Sequence, residues 1–156
     1  MPQFEMPTTG TVLIHGQINS DGVILRSEDA PQGGAIIAWN DLDAFTQGYI
    51  EAMFFTNGEE IPEEKAFGNL APETLRGIIE DCTDFQVRAG PFIALAIKVN
   101  EYDQAQAGRD YWFTRNGHGC GFWDRGLGAV GDTLTTYSGR AEINPYIGDD
   151  GLIYLT

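Results

Sequence analysis

The residues with the widest chemical range crowd into one short run. Between Gly108 and Gly128 stand His118, Cys120, Asp110 and Asp124, interleaved with Arg109, Arg115, Asn116 and Arg125 and with the aromatics Tyr111, Trp112, Phe113, Phe122 and Trp123. Glycines at 117, 119 and 121 alternate with them, so the backbone there has little side-chain cover and admits a ring, a ligand or another backbone. Three chemistries fit these residue types. His118 with Asp110 or Asp124 makes an acid–base couple, because an imidazole titrates near neutrality and a carboxylate can orient it. Cys120 two residues from His118 has the parts of a thiol dyad. His118, Cys120 and Asp124 are metal-binding types, but no second cluster stands at a recognised ligand spacing, and no metal or cofactor is expected. Each residue also has a structural use. The histidine can fix a turn, and the charges of Asp110, Arg115, Asp124 and Arg125 can pair. Trp112 and Trp123 can anchor a core, with a stacking platform for a base or sugar as the alternative. Catalytic candidates are therefore limited to His118, Asp110 and Asp124, and a binding protein is favoured over an enzyme.

Something must position this run. Asn116-Gly117 is the dipeptide that tolerates positive φ at both centres of a tight turn, so Tyr111–Thr114 and Gly121–Asp124 are expected to form a central β-hairpin. Upstream, residues 1–10 read as a loose arm. Thr11–Ile18 and Val23–Arg26 flank the turn-rich Asn19–Gly22, and Ala35–Trp39 is a third short strand. Helical patterning begins at Asn40 as N-cap, with Leu42, Phe45, Tyr49 and Met53 on one stripe. Pro72 starts a second helix with Leu75, Ile78, Ile79, Cys82 and Phe85 on its apolar face, and Gly90-Pro91 should break it. A third helix is expected from Phe92 to Ala107, and a short one over Leu134–Ser138. Ile143–Ile147 and Leu152–Leu155 flank Gly148–Gly151 as a terminal hairpin; that turn lacks the alternating oxygen ligands and closing Glu of a calcium loop. The expected fold is α+β: an antiparallel sheet of N-terminal, central and C-terminal hairpins packed on two or three helices. A single domain of 1–156 is expected, with an N-terminal β segment 1–39, an acidic helical segment 40–107 and a hairpin-rich segment 108–156.

Charge sets the choice of partners. Nine Lys and Arg against 23 Asp and Glu leave a net charge of −14, which excludes gripping nucleic acid directly or docking on anionic lipid. Between Asn40 and Asp84 stand eleven acids: Asp41, Asp43, Glu51, Glu59, Glu60, Glu63, Glu64, Glu73, Glu80, Asp81 and Asp84. Only Lys65 and Arg76 oppose them, so this segment carries −9 of the total. Carboxylates arrayed in this way can stand where phosphates would, on a protein with a basic groove. The partner-binding candidates are Glu59, Glu60, Glu63, Glu64, Glu80, Asp81 and Asp84. The two cysteines form no disulfide framework, and no apolar stretch approaches a membrane span; a cytoplasmic protein is expected.

The run Gly-Arg-Asp-Tyr-Trp-Phe-Thr-Arg-Asn-Gly-His-Gly-Cys-Gly-Phe-Trp-Asp-Arg, from Gly108 to Arg125, resembles an uncharacterised family of bacteriophage and prophage proteins. Their pattern is Gly-His-Asp-Phe-Trp-Leu-Thr-Arg-Asn-Gly-His-Gly-Ala-Gly-Phe-Trp-Asp-Arg, with a Gly-Asp-Asp-Gly-x-Ile-Tyr ending that Gly148–Tyr154 matches. Tyr49–Ala52 and Leu70–Leu75 are similar too, so the resemblance covers roughly 42–155 and leaves the N-terminal hairpin outside. Arg115, Asn116, Trp123 and Arg125 fall at its motif positions. Arg109 stands where the family has His, and Cys120 where it has Ala, which puts a shared chemistry at those positions in doubt. The resemblance implies a phage or prophage accessory protein acting in the host cytoplasm. Joined to the charge, it leads to the expectation of a protein that binds, and inhibits, a host nucleic-acid-handling or defence protein with a basic surface, in the manner of a DNA mimic. A small enzyme or ligand-binding protein sited at Asp110–Arg125, and a virion-associated structural protein, are the alternatives. The N-terminal hairpin offers an edge through which a homodimer would form.

Overall fold

The computed structural model describes residues 5–14, 35–99 and 101–156. It is mixed helix and sheet, in the order β1 (Thr11–Ile14), β2 (Ala35–Ala38), α1 (Ala44–Thr56), α2 (Pro72–Ile97), α3 (Gln104–Arg115), α4 (Ala129–Ser138), β3 (Pro145–Ile147) and β4 (Ile153–Leu155). The chain forms two compact units, one of Met1–Asp43, Phe54–Asp81 and Asn144–Thr156, the other of Ala44–Met53 and Cys82–Ile143.

The first unit holds both sheets, each two-stranded and antiparallel. β1 pairs with β2 in the register Val12↔Ile37, which puts Val12, Ile14 and Ile37 on the buried face and leaves Leu13 and Ile36 outside. The expected turn Asn19–Gly22 and strand Val23–Arg26 lie outside the described residues. Residues 5–10 of the arm ahead of β1 are not loose: the Phe67 and Gly68 N–H groups donate to the Pro7 and Thr9 carbonyls at 3.0 and 2.9 Å. Gly10 and Gly68 make that approach feasible, since a Cβ on Gly10 would fall 2.8 Å from the Gly68 Cα. The terminal hairpin forms as expected, Tyr146 opposite Tyr154. β4 is held to the start of α2 by Ala71 N–H and the Thr74 hydroxyl, both donating to the Ile153 carbonyl.

The second unit is helical, and here the expected central hairpin gives way to a helix. Asp103 caps α3 by accepting from the Gln106 N–H at 2.7 Å, and the helix runs through Tyr111–Thr114 to Arg115. Asn116-Gly117 ends it, with Gly117 at φ +70°. Asn-Gly suits a helix stop as well as a hairpin turn, because both need a residue at positive φ. The third helix expected over Phe92–Ala107 does not exist either. α2 continues through Pro91 to Ile97. Pro91 and Val87 are both exposed, so the carbonyl that the proline leaves without its helical N–H donor is on the solvent side of the helix. Cys82, Phe85, Ala89, Ile93 and Ala96 keep the helical spacing on the buried side, while Leu95 and Val99 are exposed.

An aromatic cluster fills this unit. Phe85 stacks on Tyr111 with centroids 4.1 Å apart, Tyr49 meets Trp112 edge-on at 5.2 Å, and Phe122 completes the stack. Such pairs contribute about 0.5–1.5 kcal/mol beyond burial. α1 and α3 touch backbone to backbone at two glycines. A Cβ on Gly48 would overlap the Ala105 carbonyl oxygen, and one on Gly108 the Phe45 carbonyl oxygen.

Candidate functional site

Asp110 is fully buried in the middle of α3 and accepts hydrogen bonds from the side chains of Tyr102, Gln106 and Arg125. Tyr102 Oη reaches Oδ2 at 2.6 Å, Gln106 Nε2 reaches Oδ1 at 3.1 Å, and Arg125 closes a fork with Nη2 to Oδ1 at 2.8 Å and Nε to Oδ2 at 3.1 Å. A carboxylate buried this deeply must be compensated, and a bidentate guanidinium with two further donors does so. Burial first, then the Asp110 charge, pushes the Tyr102 hydroxyl far above the ordinary phenol range, so it stays a donor. The hydrogen bond to Asp110 in turn raises the Arg125 pKa. This carboxylate has no lone pair left to orient an imidazole.

His118 lies elsewhere in the same unit. Its main-chain N–H donates to the Phe113 carbonyl at 3.0 Å, and its ring stands edge-on to Phe113, centroids 6.0 Å apart. Burial lowers its pKa below 6.5, which favours the neutral imidazole. Among the described residues no hydrogen bond or ion pair joins His118 to Asp110 or Asp124. Asp124 accepts from the Gly121 N–H at 3.0 Å and so caps the 3-10 turn Phe122–Asp124. Burial pushes the Cys120 thiol up, the Arg125 guanidinium opposing, so it is held in the poorly nucleophilic form. No group of three His, Cys, Asp or Glu among the described residues is placed to hold a metal ion.

The motif positions hold the end of α3. Arg115 donates from Nη1 to the Tyr49 hydroxyl at 3.1 Å and lies 4.8 Å over the Tyr111 ring. Asn116 donates to the Trp112 carbonyl and accepts from the Ile143 N–H at 2.6 Å, while the Ala141 N–H donates to the Arg115 carbonyl. That brings residues 139–143 alongside the helix end. Trp112 is a core residue, as its type suggests; Trp123 is not, at 45% exposed. Its ring lies over Gly121, where any side chain would strike it. Between Trp123, His118, Arg140 and α4 opens a hollow of about 470 Å³.

The acidic candidates divide by unit. Glu59, Glu60, Glu63 and Glu64 are exposed on the loop after α1, in the first unit with Glu80 and the half-buried Asp81. Asp84, in the second unit, is paired with Arg88 at 2.8 Å. Lys65, the one cation among the loop acids, donates to the Gly151 carbonyl at 2.8 Å. That bond ties the acidic loop to the terminal turn and adds the exposed Asp149 and Asp150, which sequence reasoning treated only as turn residues. Asp150 accepts from the Tyr154 hydroxyl at 2.6 Å, and the Glu73 charge also acts on Tyr154. No spacing in the sequence announces this, because the loops are 86 positions apart. Among the described residues no helix is long and apolar enough to cross a membrane. Comparison with protein-family models finds no match, and neither curated proteins nor solved structures yield one.

Proposed function

We propose that the protein works by binding a basic partner protein through the acidic face of its first unit. The observation that carries this reading is the Lys65–Gly151 bond, which joins the loop of Glu63 and Glu64 to the turn of Asp149 and Asp150, so that four acids stand about one lysine. No ion pair among the described residues engages Glu59, Glu60, Glu63 or Glu64, so their charge is free to steer and hold a cationic surface. The partner class is a nucleic-acid-handling or defence protein with a basic groove, and the acidic face acts as a DNA mimic that inhibits it. The resemblance of Gly108–Arg125 to phage proteins supports a partner in the host cytoplasm. The acid–base reading of His118 loses support, because Asp110 is consumed by Arg125 and Asp124 by a turn.

The test is capture from a bacterial lysate at low and high salt, with the native chain and with Glu59, Glu60, Glu63 and Glu64 all changed to Gln. Retention of a basic protein at low salt, released by about 1 M salt and lost in the variant, is expected. Equal retention by both chains, or none at low salt, would sink the proposal.

A further inference from the structure

The hollow beside His118 plays no part in the acidic face, and its one charged wall is cationic. We propose that it binds a small flat-ringed anion, a nucleoside monophosphate being the class that matches Trp123, His118 and Arg140 together.

The volume, about 470 Å³, falls within the ~300–1,000 Å³ of small-molecule sites. Trp123 supplies a stacking face that is open to solvent yet steadied by its seat over Gly121. Arg140 supplies the charge. Its guanidinium lies against Gly117, with Nη2 only 2.6 Å from where a Cβ would stand, and Gly117 sits at φ +70°, which favours glycine and leaves the guanidinium that room. Among the described residues the partner of this guanidinium is Glu142 at 3.5 Å, which leaves most of its donors for an oxyanion. A single guanidinium matches a single phosphate; longer phosphate chains would bring charge that a protein of net −14 repels. The His118 ring nitrogens have no hydrogen-bond partner among the described residues, so the neutral ring offers one donor and one acceptor. Thr135 and Thr136 donate their hydroxyl protons to the Gly131 and Asp132 carbonyls, and their oxygens remain as acceptors for an amino or hydroxyl group.

The experiment is an NMR titration of the full chain with adenosine and uridine monophosphates, following the Trp123 indole and His118 imidazole signals. Adenosine and inorganic phosphate serve as separate arms. Saturable shifts at both residues are expected. Arg140→Gln should weaken nucleotide binding at least tenfold and leave adenosine binding unchanged. Trp123→Ala should weaken both by about fivefold to a hundredfold. Both side chains are exposed, so an unchanged unfolding midpoint is expected; if either variant unfolds, Thr136→Glu, which sets a carboxylate at the mouth, should abolish nucleotide binding instead. The proposal fails if no saturable shift occurs with millimolar nucleotide, if Arg140→Gln or Thr136→Glu binds as the native chain does, or if adenosine binds as tightly as its monophosphate.

Discussion

Replacing Asp110 by Asn keeps the shape of the side chain and removes its charge. One oxygen still accepts from Tyr102 or Gln106, but the new NH2 points donors at donors on Arg125. Removing one member of a buried pair costs about 3–5 kcal/mol. The Arg125 side chain is 29% exposed and can turn partly to water, which brings the cost to the bottom of that range or just below it, roughly 2–3 kcal/mol. For a chain of this length each kcal/mol moves the midpoint by about 2–4 °C, and a fall of roughly 5–10 °C is expected. Near-UV circular dichroism is the assay, since Tyr111 and Trp112 are packed in the same unit. Arg125→Gln should cost a similar amount, and the double variant less than the sum by about 1–3 kcal/mol. A midpoint for Asp110→Asn within about 1 °C of the native chain, or strict additivity, would refute the structural role given to Asp110.

Two other outcomes follow from single contacts. The hydrogen bond from Tyr154 to Asp150 pushes the phenol up to about 12 and holds the Asp150 carboxyl below its ordinary value. The contact therefore stabilises the hairpin in the range between, and fades as pH rises through about 12 or falls through the lowered Asp150 value. An NMR titration of Tyr154 should show the late midpoint, and Asp150→Asn should return it toward 10.0; an unchanged midpoint in that variant would assign the shift to another cause. Asn116→Ala removes the bonds to the Trp112 carbonyl and from the Ile143 N–H, and should cost about 1–2 kcal/mol in urea unfolding. A loss below about 0.5 kcal/mol would mean that Asn116 does not hold residues 139–143.

Periodic elements were legible where burial and period agreed. Leu75, Ile78, Ile79, Cys82 and Phe85 mark α2, and all five are buried. The terminal hairpin was legible from its glycines. The reading failed where one signal serves two geometries. Asn116-Gly117 stops a helix as readily as it turns a hairpin, and the aromatic Tyr111-Trp112-Phe113 is as much at home in a packed helix as in a strand. Gly90-Pro91 has the chemistry of a break, yet the break is spared on the solvent face. Asp103 caps α3 within the stretch assigned to a helix interior. Of the site, sequence pointed to His118, Asp110 and Asp124 as a group. Which of them meet depends on helix phase, and once Tyr111–Thr114 is helical, Asp110 belongs to Arg125.

The crossing of α1 and α3 at Gly48 and Gly108 has a genetic consequence. Most core contacts can be renegotiated, because a larger side chain on one element is offset by a smaller one opposite. Here a Cβ at Gly48 would meet the main chain of Ala105, and one at Gly108 the main chain of Phe45, which no change of side chain can make smaller. The two sites lack any compensating partner among the side chains. In a library of variants selected for folding, Phe45, Tyr49 and Tyr111 around the crossing are free to drift together. The two glycines should stay as they are, each a dead end for substitution and both silent in any test of covariation.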